Sequence, residues 1–196
     1  MKKQQILEIM NSNNGVITNK KALQFGISRT ALYRLKEQGV ICSISRGVYS
    51  LKDEVPDMLV IIQNRCKKGT YSHESALYFH ELTDRTPSNH VMTVPASYNT
   101  TSLKDLPVTF RYVKSELIAL GKKKMKTSQG NEVYVYDLER TICDIIRNKD
   151  DMNINEVNSA LRQYANSGSA KYSLLMIYAH KLGMETKVRE VMGVLF

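Results

Sequence analysis

Residues 15–51 read GVITNKKALQFGISRTALYRLKEQGVICSISRGVYSL, and the punctuation of this stretch decides the fold of the N-terminal quarter. Val16 and Ile17 form a short extended piece, and Thr18 is placed to cap a helix by accepting a free amide of its first turn. The helix Asn19–Phe25 is expected to bury Ala22, Leu23 and Phe25, with Gly26 as a left-handed stop. Ser28 then caps a third helix over residues 29–38, which Gly39 ends. A short helix, a tight glycine turn and a second capped helix spell a helix-turn-helix. Two β-rich runs follow, Val40–Ser45 and Val48–Leu51, across the turn Arg46-Gly47. A hairpin in this position is the wing of a winged helix.

Working outward, residues 3–12 place Ile6, Leu7 and Met10 on one helical face, and Asn13-Asn14-Gly15 turns the chain into the extended piece. At 100° per residue the third helix splits into two faces. Ile27, Ala31, Leu32 and Leu35 point to the core. Arg29, Thr30, Tyr33 and Glu37 point away, flanked by Arg34 and Lys36. An arginine can pair bidentately with guanine, a threonine can touch a base edge, and a tyrosine can reach a phosphate. Arg46 at the wing tip can lie along a phosphate or enter a minor groove. The bland alternative is an amphipathic helix whose polar face is merely wet.

Charge favours the first reading. The chain of 196 residues has a formal net charge of +9, from 28 Lys plus Arg against 19 Asp plus Glu. Residues 1–52 hold nine basic and two acidic side chains, a net of +7, and residues 53–196 hold nineteen and seventeen, a net of +2. Clustered cations mark a polyanion-binding module, or else a solubilising surface. The candidate DNA contacts are Lys2, Lys3, Lys20, Lys21, Ser28, Arg29, Thr30, Tyr33, Arg34, Lys36 and Arg46, the four lysines neutralising phosphates near helix ends.

The remaining composition excludes several classes. No apolar run approaches the roughly 18 to 20 residues of a membrane-spanning helix. The start MKKQQILE has no apolar core or cleavage site of a secretory signal. Cys42, Cys66 and Cys143 are odd in number and far apart, which fits a reducing, cytoplasmic setting and neither a disulfide framework nor a structural zinc site.

Beyond residue 52 the pattern is mixed. Pro56 suits the first turn of a helix to about Cys66, making Lys52–Val55 a linker. Ser72 is expected to cap a helix to Leu82. Strands are expected at Asn89–Val94, at Val108–Val113 with one wet face, and at Leu117–Thr127 and Asn131–Tyr136 as a hairpin around Ser128-Gln129-Gly130. Helices follow near 138–148, 154–166, 171–182 and 184–192, with Asn153 and Glu156 in a capping-box-like spacing. The fold class is therefore α+β, a winged helix-turn-helix over 1–53 followed by a mixed α+β domain over 54–196 ending in helices.

Catalytic patterns are weak in this half. His73 and His80 stand seven apart without the His-Glu-x-x-His zinc spacing, so a core or capping role outweighs a metal pair. Asp57 beside Pro56 and Glu185 with Lys187 make no nuclease set, being distant and helical. Gly168-Ser169 lacks the Asp-x-Asp that would hold two metals. Arg140 and Asp144 read as an ordinary i,i+4 pair. Lys122, Lys123, Lys124 and Lys126 form either a lysine-protected edge strand or a second contact surface. No catalytic residue, metal ligand or cofactor is assigned.

The stretch 15–51, together with YSHESALYFHELTDRTPSNHVMTVP (71–95) and YDLERTICDIIRN (136–148), resembles the AbiEi-type antitoxin family of type IV toxin–antitoxin and abortive-infection (phage defence) systems. The resemblance covers roughly residues 15–150. It implies a non-enzymatic repressor that binds promoter inverted repeats in double-stranded DNA, autoregulates its operon, and counteracts a nucleotidyltransferase toxin without a stable complex. The rival readings are a one-component regulator whose second domain senses a ligand or dimerises, and a nucleic-acid-processing enzyme using His73 or Glu74.

Overall fold

A computed structural model describes residues 2–52 and 57–193. The expected linker Lys52–Val55 falls largely outside these residues, as do Pro56 and the expected boundary between 53 and 54. The chain divides into two compact units, Met1–Lys67 with Lys126–Val133, and Lys68–Met125 with Tyr134–Phe196.

The first unit begins with α1 (Lys3–Asn11), β1 (Val16–Thr18), α2 (Asn19–Gln24) and α3 (Arg29–Glu37), followed by β2 (Ile41–Ser45) and β3 (Val48–Leu51). The three strands form a sheet in the order β1-β3-β2, with β3 antiparallel to both neighbours. Ile6, Met10, Ile17, Ala22, Ile27, Leu32, Leu35 and Ile41 form one buried cluster, so the three helices share a single core with the sheet. This is a winged helix. Leu7 is only half-buried, and it is Ile6 and Met10 that anchor α1.

One expectation fails at α2 and its C-terminal cap. Leu23 is 55% exposed and Phe25 42% exposed, and only Ala22 is buried. A six-residue helix offers the core one narrow stripe, and position 23 lies about 100° away from it. The unit also contains α4 (Met58–Arg65), capped by Asp57, whose Oδ1 accepts the amides of Leu59 and Val60. Asp57 Oδ2 accepts from Thr127 Oγ1 at 2.5 Å and from Asn131 Nδ2 at 3.1 Å.

The second unit holds β4 (Thr70–Tyr71), α5 (His73–Phe79), β5 (His90–Pro95) and β6 (Val108–Val113). The hairpin β7 (Lys122–Lys126) and β8 (Glu132–Tyr136) comes next, its tip counted with the first unit. The chain then becomes helical through α6 (Leu138–Arg147), α7 (Ile154–Asn166), α8 (Tyr172–Lys181) and α9 (Glu185–Gly193). The sheet order is β6-β5-β4-β8-β7, with β5 parallel to β6 and β4 parallel to β8. α6 is the hub: Ile142, Cys143, Ile145 and Ile146 join Leu77, Leu161, Tyr164, Leu175, Ala179 and Val188 in one buried cluster. Burial pushes the Cys143 thiol up to about 12, as expected of a packing residue rather than a nucleophile.

Four further expectations are corrected here. Helix α5 ends at Phe79, short of Leu82, because Glu81 turns left-handed at φ 57°. Ser72 sits at the cap position, but its hydroxyl faces His73 Nδ1 and accepts from Thr93 Oγ1 instead of capping. Strand β6 does not alternate cleanly: Thr109 and Tyr112 are exposed while Phe110 and Arg111 are half-buried, at a sheet edge with one neighbour. The chain from Leu117 to Gly121 is turned, not extended, because it bends around a buried arginine.

That arginine is Arg140, whose i,i+4 pair with Asp144 is buried. It is 1% exposed and its Nε donates to Asp144 Oδ1 at 3.0 Å. Its Nη1 donates to the carbonyls of Leu117 and Leu120, both at 3.0 Å, and its guanidinium lies 4.1 Å from the Tyr136 ring centroid. Gly121, at φ 74°, passes so close that a Cβ there would lie 2.5 Å from the Cβ of Arg140. Asp137 caps α6 by accepting the Arg140 amide, and Asn153 caps α7 through the amides of Asn155 and Glu156.

Candidate nucleic-acid interface

The candidate surface is assembled by caps and turns. Thr18 Oγ1 accepts the Lys21 amide at 3.1 Å, which starts α2 where the sequence places it. Gly26, at φ 72°, reverses the chain so that Ile27, 1% exposed, drops into the core. Ser28 Oγ then accepts the Ala31 amide at 3.2 Å and opens α3. Leu32 and Leu35 are buried, and these two side chains fix which face of α3 turns outward. Arg29, Thr30, Tyr33, Arg34 and Lys36 are all exposed on it, Tyr33 at 59%.

The wing is tied to the start of α2. Ser45 and Val48 pair across the two-residue turn Arg46-Gly47, and Gly47 takes φ 79°. The Asn19 amide donates to the Gly47 carbonyl at 2.8 Å. A Cβ at Gly47 would stand 2.9 Å from Nδ2 at the end of the Asn19 side chain, which would have to shift, and the left-handed φ favours glycine there. Exposed Arg46 precedes that contact on the wing, and exposed Lys20 and Lys21 follow it on α2. Lys2 and Lys3 are also exposed, at the opening of α1, a separate element. Every candidate contact named from the sequence therefore has its side chain available to a polyanion.

The polar residues of the second unit are held in a different way. His80 Nε2 donates to the Tyr136 carbonyl at 2.9 Å, and burial lowers its pKa. His73 is buried and has φ 51°, in the left-handed region that a histidine seldom occupies. The Asp144 carbonyl accepts one N–H of the Asn148 amide at 3.0 Å, and the same nitrogen lies 2.9 Å from His73 Nε2. Nε2 must therefore accept, which puts the ring proton on Nδ1 facing Ser72 Oγ at 2.9 Å. Desolvation by burial lowers the pKa of this ring, Asp144 opposes it, and Arg111, Arg140 and Arg147 add to the lowering. The two histidines thus have separate partners. Among the described residues no group of three or more His, Cys, Asp or Glu is placed to hold a metal ion.

Sequence reasoning missed the residues gathered around His73. Arg111, Arg147 and Asn148 reach it from positions 38 to 75 residues away, a convergence without any local signal.

Comparison with known proteins bears on the first unit most directly. Residues 4–52 match the family model described as "Transcriptional regulator, AbiEi antitoxin". The segment folded as the winged helix therefore carries that family's sequence pattern. Among solved structures, the crystal structure of RV2827C protein from Mycobacterium tuberculosis superposes with a TM-score of 0.50. It has 10% sequence identity and the match covers 97% of this chain and 80% of that one, which is a likeness of fold. The chain matches no curated protein. Among the described residues, no helix is long and apolar enough to cross a membrane.

Proposed function

We propose that the protein is a cytoplasmic, DNA-binding transcriptional repressor that is also the antitoxin of a type IV, AbiE-type toxin–antitoxin system. In this reading residues 1–53 bind inverted repeats in the operon's own promoter. Residues 54–196 serve the antitoxin role against a nucleotidyltransferase toxin, without a stable complex and without catalysis of their own. The observation that carries it is the solvent face of α3, basic and aromatic, in a segment matching a regulator family.

In the proposed pose, α3 enters a major groove from its N-terminal end. Arg29 and Thr30 reach base edges, Tyr33 and Arg34 meet the backbone, and Arg46 extends to the flanking phosphate or minor groove. Lys2, Lys3, Lys20, Lys21 and Lys36 neutralise phosphates, and Ser28 can donate to one beside the start of α3. With about four or five of these phosphate contacts formed at a time, log affinity falls against log salt with a slope of roughly −4.

Fluorescence anisotropy of the full chain on the promoter region, from 50 to 200 mM salt, tests the DNA half. Arg46→Ala should weaken binding and flatten the slope by about one, whereas Arg29→Ala should cost about 1–3 kcal/mol and relax sequence preference. Affinity independent of salt, or equal for promoter and scrambled duplex, defeats the repressor assignment. Rescue of cells expressing the toxin tests the other half. Failure of the intact chain to rescue, with promoter binding retained, leaves a regulator and removes the antitoxin role.

A further inference from the structure

The second unit contains a cleft of about 300 Å³ between β6, the start of α5 and the end of α6. This lies at the lower end of small-ligand sites. Two arginines line it, Arg111 and Arg147, and no carboxylate does. Arg147 is oriented by donation from Nη2 to the Leu182 carbonyl. Arg111 Nη1 donates to Asp151 at 2.9 Å, a carboxylate 62% exposed, while its Nε is buried without a hydrogen-bond partner.

The end of a helix normally repels anions through its free carbonyls. Here one of those carbonyls is covered, since Lys187 Nζ donates to that of Arg147 at 3.1 Å, while the Asp144 carbonyl accepts both the backbone and the side-chain amide of Asn148. Lys187 brings a further cation to the same place. The neutral His73 ring forms part of the lining, held rigid between Ser72 and Asn148 despite its left-handed backbone. Backbone strain of this kind persists only where its surroundings over-determine it, and it clusters at binding sites. Tyr112, also in the lining, has its ring steadied by a 2.9 Å hydrogen bond between its hydroxyl and Thr100 Oγ1.

We infer that this cleft binds a small organic anion, a phosphate or carboxylate carried on a flat ring, with Arg111 and Arg147 holding the anionic group and Tyr112 against the ring. Asp151 occupies Arg111 in the free protein and yields it to the ligand. The site stands on the geometry of the second unit and does not rest on the DNA-binding reading.

The test is an amide NMR titration of the full-length chain with phenyl phosphate, benzoate and phenol. At least one of the two anions should shift the amides of residues 110–113 and 147–148 saturably at millimolar or lower concentration, the tighter naming the headgroup. Phenol, a ring without charge, should not. Arg111→Gln should weaken binding tenfold or more. Asp151→Asn, an exposed substitution that leaves the core untouched, should tighten it about threefold, the weight of one exposed ion pair. The inference is overturned if neither anion gives a saturable shift in wild type or Asp151→Asn. Shifts confined to residues 20–46, or affinities that neither substitution alters, overturn it too.

Discussion

Replacing Arg140 with methionine should remove a large part of the stability of the second unit. The arginine is 1% exposed and donates to Asp144, which is itself 4% exposed and whose Oδ2 has no partner. Breaking a buried ion pair by removing one member costs about 3–5 kcal/mol, because the remaining charge is left unpaired. The carbonyls of Leu117 and Leu120 lose their donor as well, and an orphaned buried acceptor costs about 1–3 kcal/mol. These losses overlap, since the 117–121 turn relaxes toward water once its anchor is gone. A total of about 4–6 kcal/mol is expected, against a domain's usual 5–15. Urea denaturation of the full chain, followed by circular dichroism at 222 nm, measures it. Adding Asp144→Asn removes the stranded charge, so the double variant should be at least 2 kcal/mol more stable than the sum of the single losses predicts. A loss below 1 kcal/mol for Arg140→Met, or strict additivity with Asp144→Asn, refutes the account of Arg140 as a buried electrostatic centre.

Two further outcomes are expected. Gly47→Ala must hold a left-handed backbone and displace the Asn19 amide, costing about 1–2 kcal/mol. It should lower the melting temperature of the first unit by several degrees and weaken promoter binding together; an unchanged melting temperature rejects the proposed tie between wing and α2. The pH dependence follows from His73 and His80, whose folded pKa values both lie below 6.5, burial being the leading cause. Unfolded chains take up protons near 6.5 that the folded chain refuses, so stability is present above that value and falls as pH drops below it. The fall is at most about 1.4 kcal/mol per pH unit for each histidine. Urea midpoints at pH 7.5 and 5.5 should show the loss, and His73→Asn should reduce it; a midpoint that rises on acidification contradicts the sign.

Much of the first unit was legible because its signals are local. Thr18, Gly26, Ser28, Gly39 and Arg46-Gly47 act within a turn of where they stand, and caps and positive-φ glycines work on the nearest amides whatever the distant packing. The solvent face of α3 was legible for the same reason: burying Leu32 and Leu35 leaves Arg29, Thr30 and Tyr33 no other side. Leu23 and Phe25 misled because hydrophobicity alone does not say which residues of a six-residue helix and its cap meet the core.

The second unit resisted where its structure depends on contacts between distant residues. An arginine four residues before an aspartate reads only as an i,i+4 pair, and the 117–121 turn that closes over it is what buries its charge. The cleft at His73 likewise gathers residues from α5, β6 and α6, and no spacing in the chain encodes that meeting. A winged helix with a basic outward face and a helical C-terminal end follow from local signals, since capping, periodicity and charge are written residue by residue. That Arg140 is a buried centre and that Arg111 and Arg147 share a cleft emerge on packing, because burial and convergence belong to the folded unit and not to any short segment.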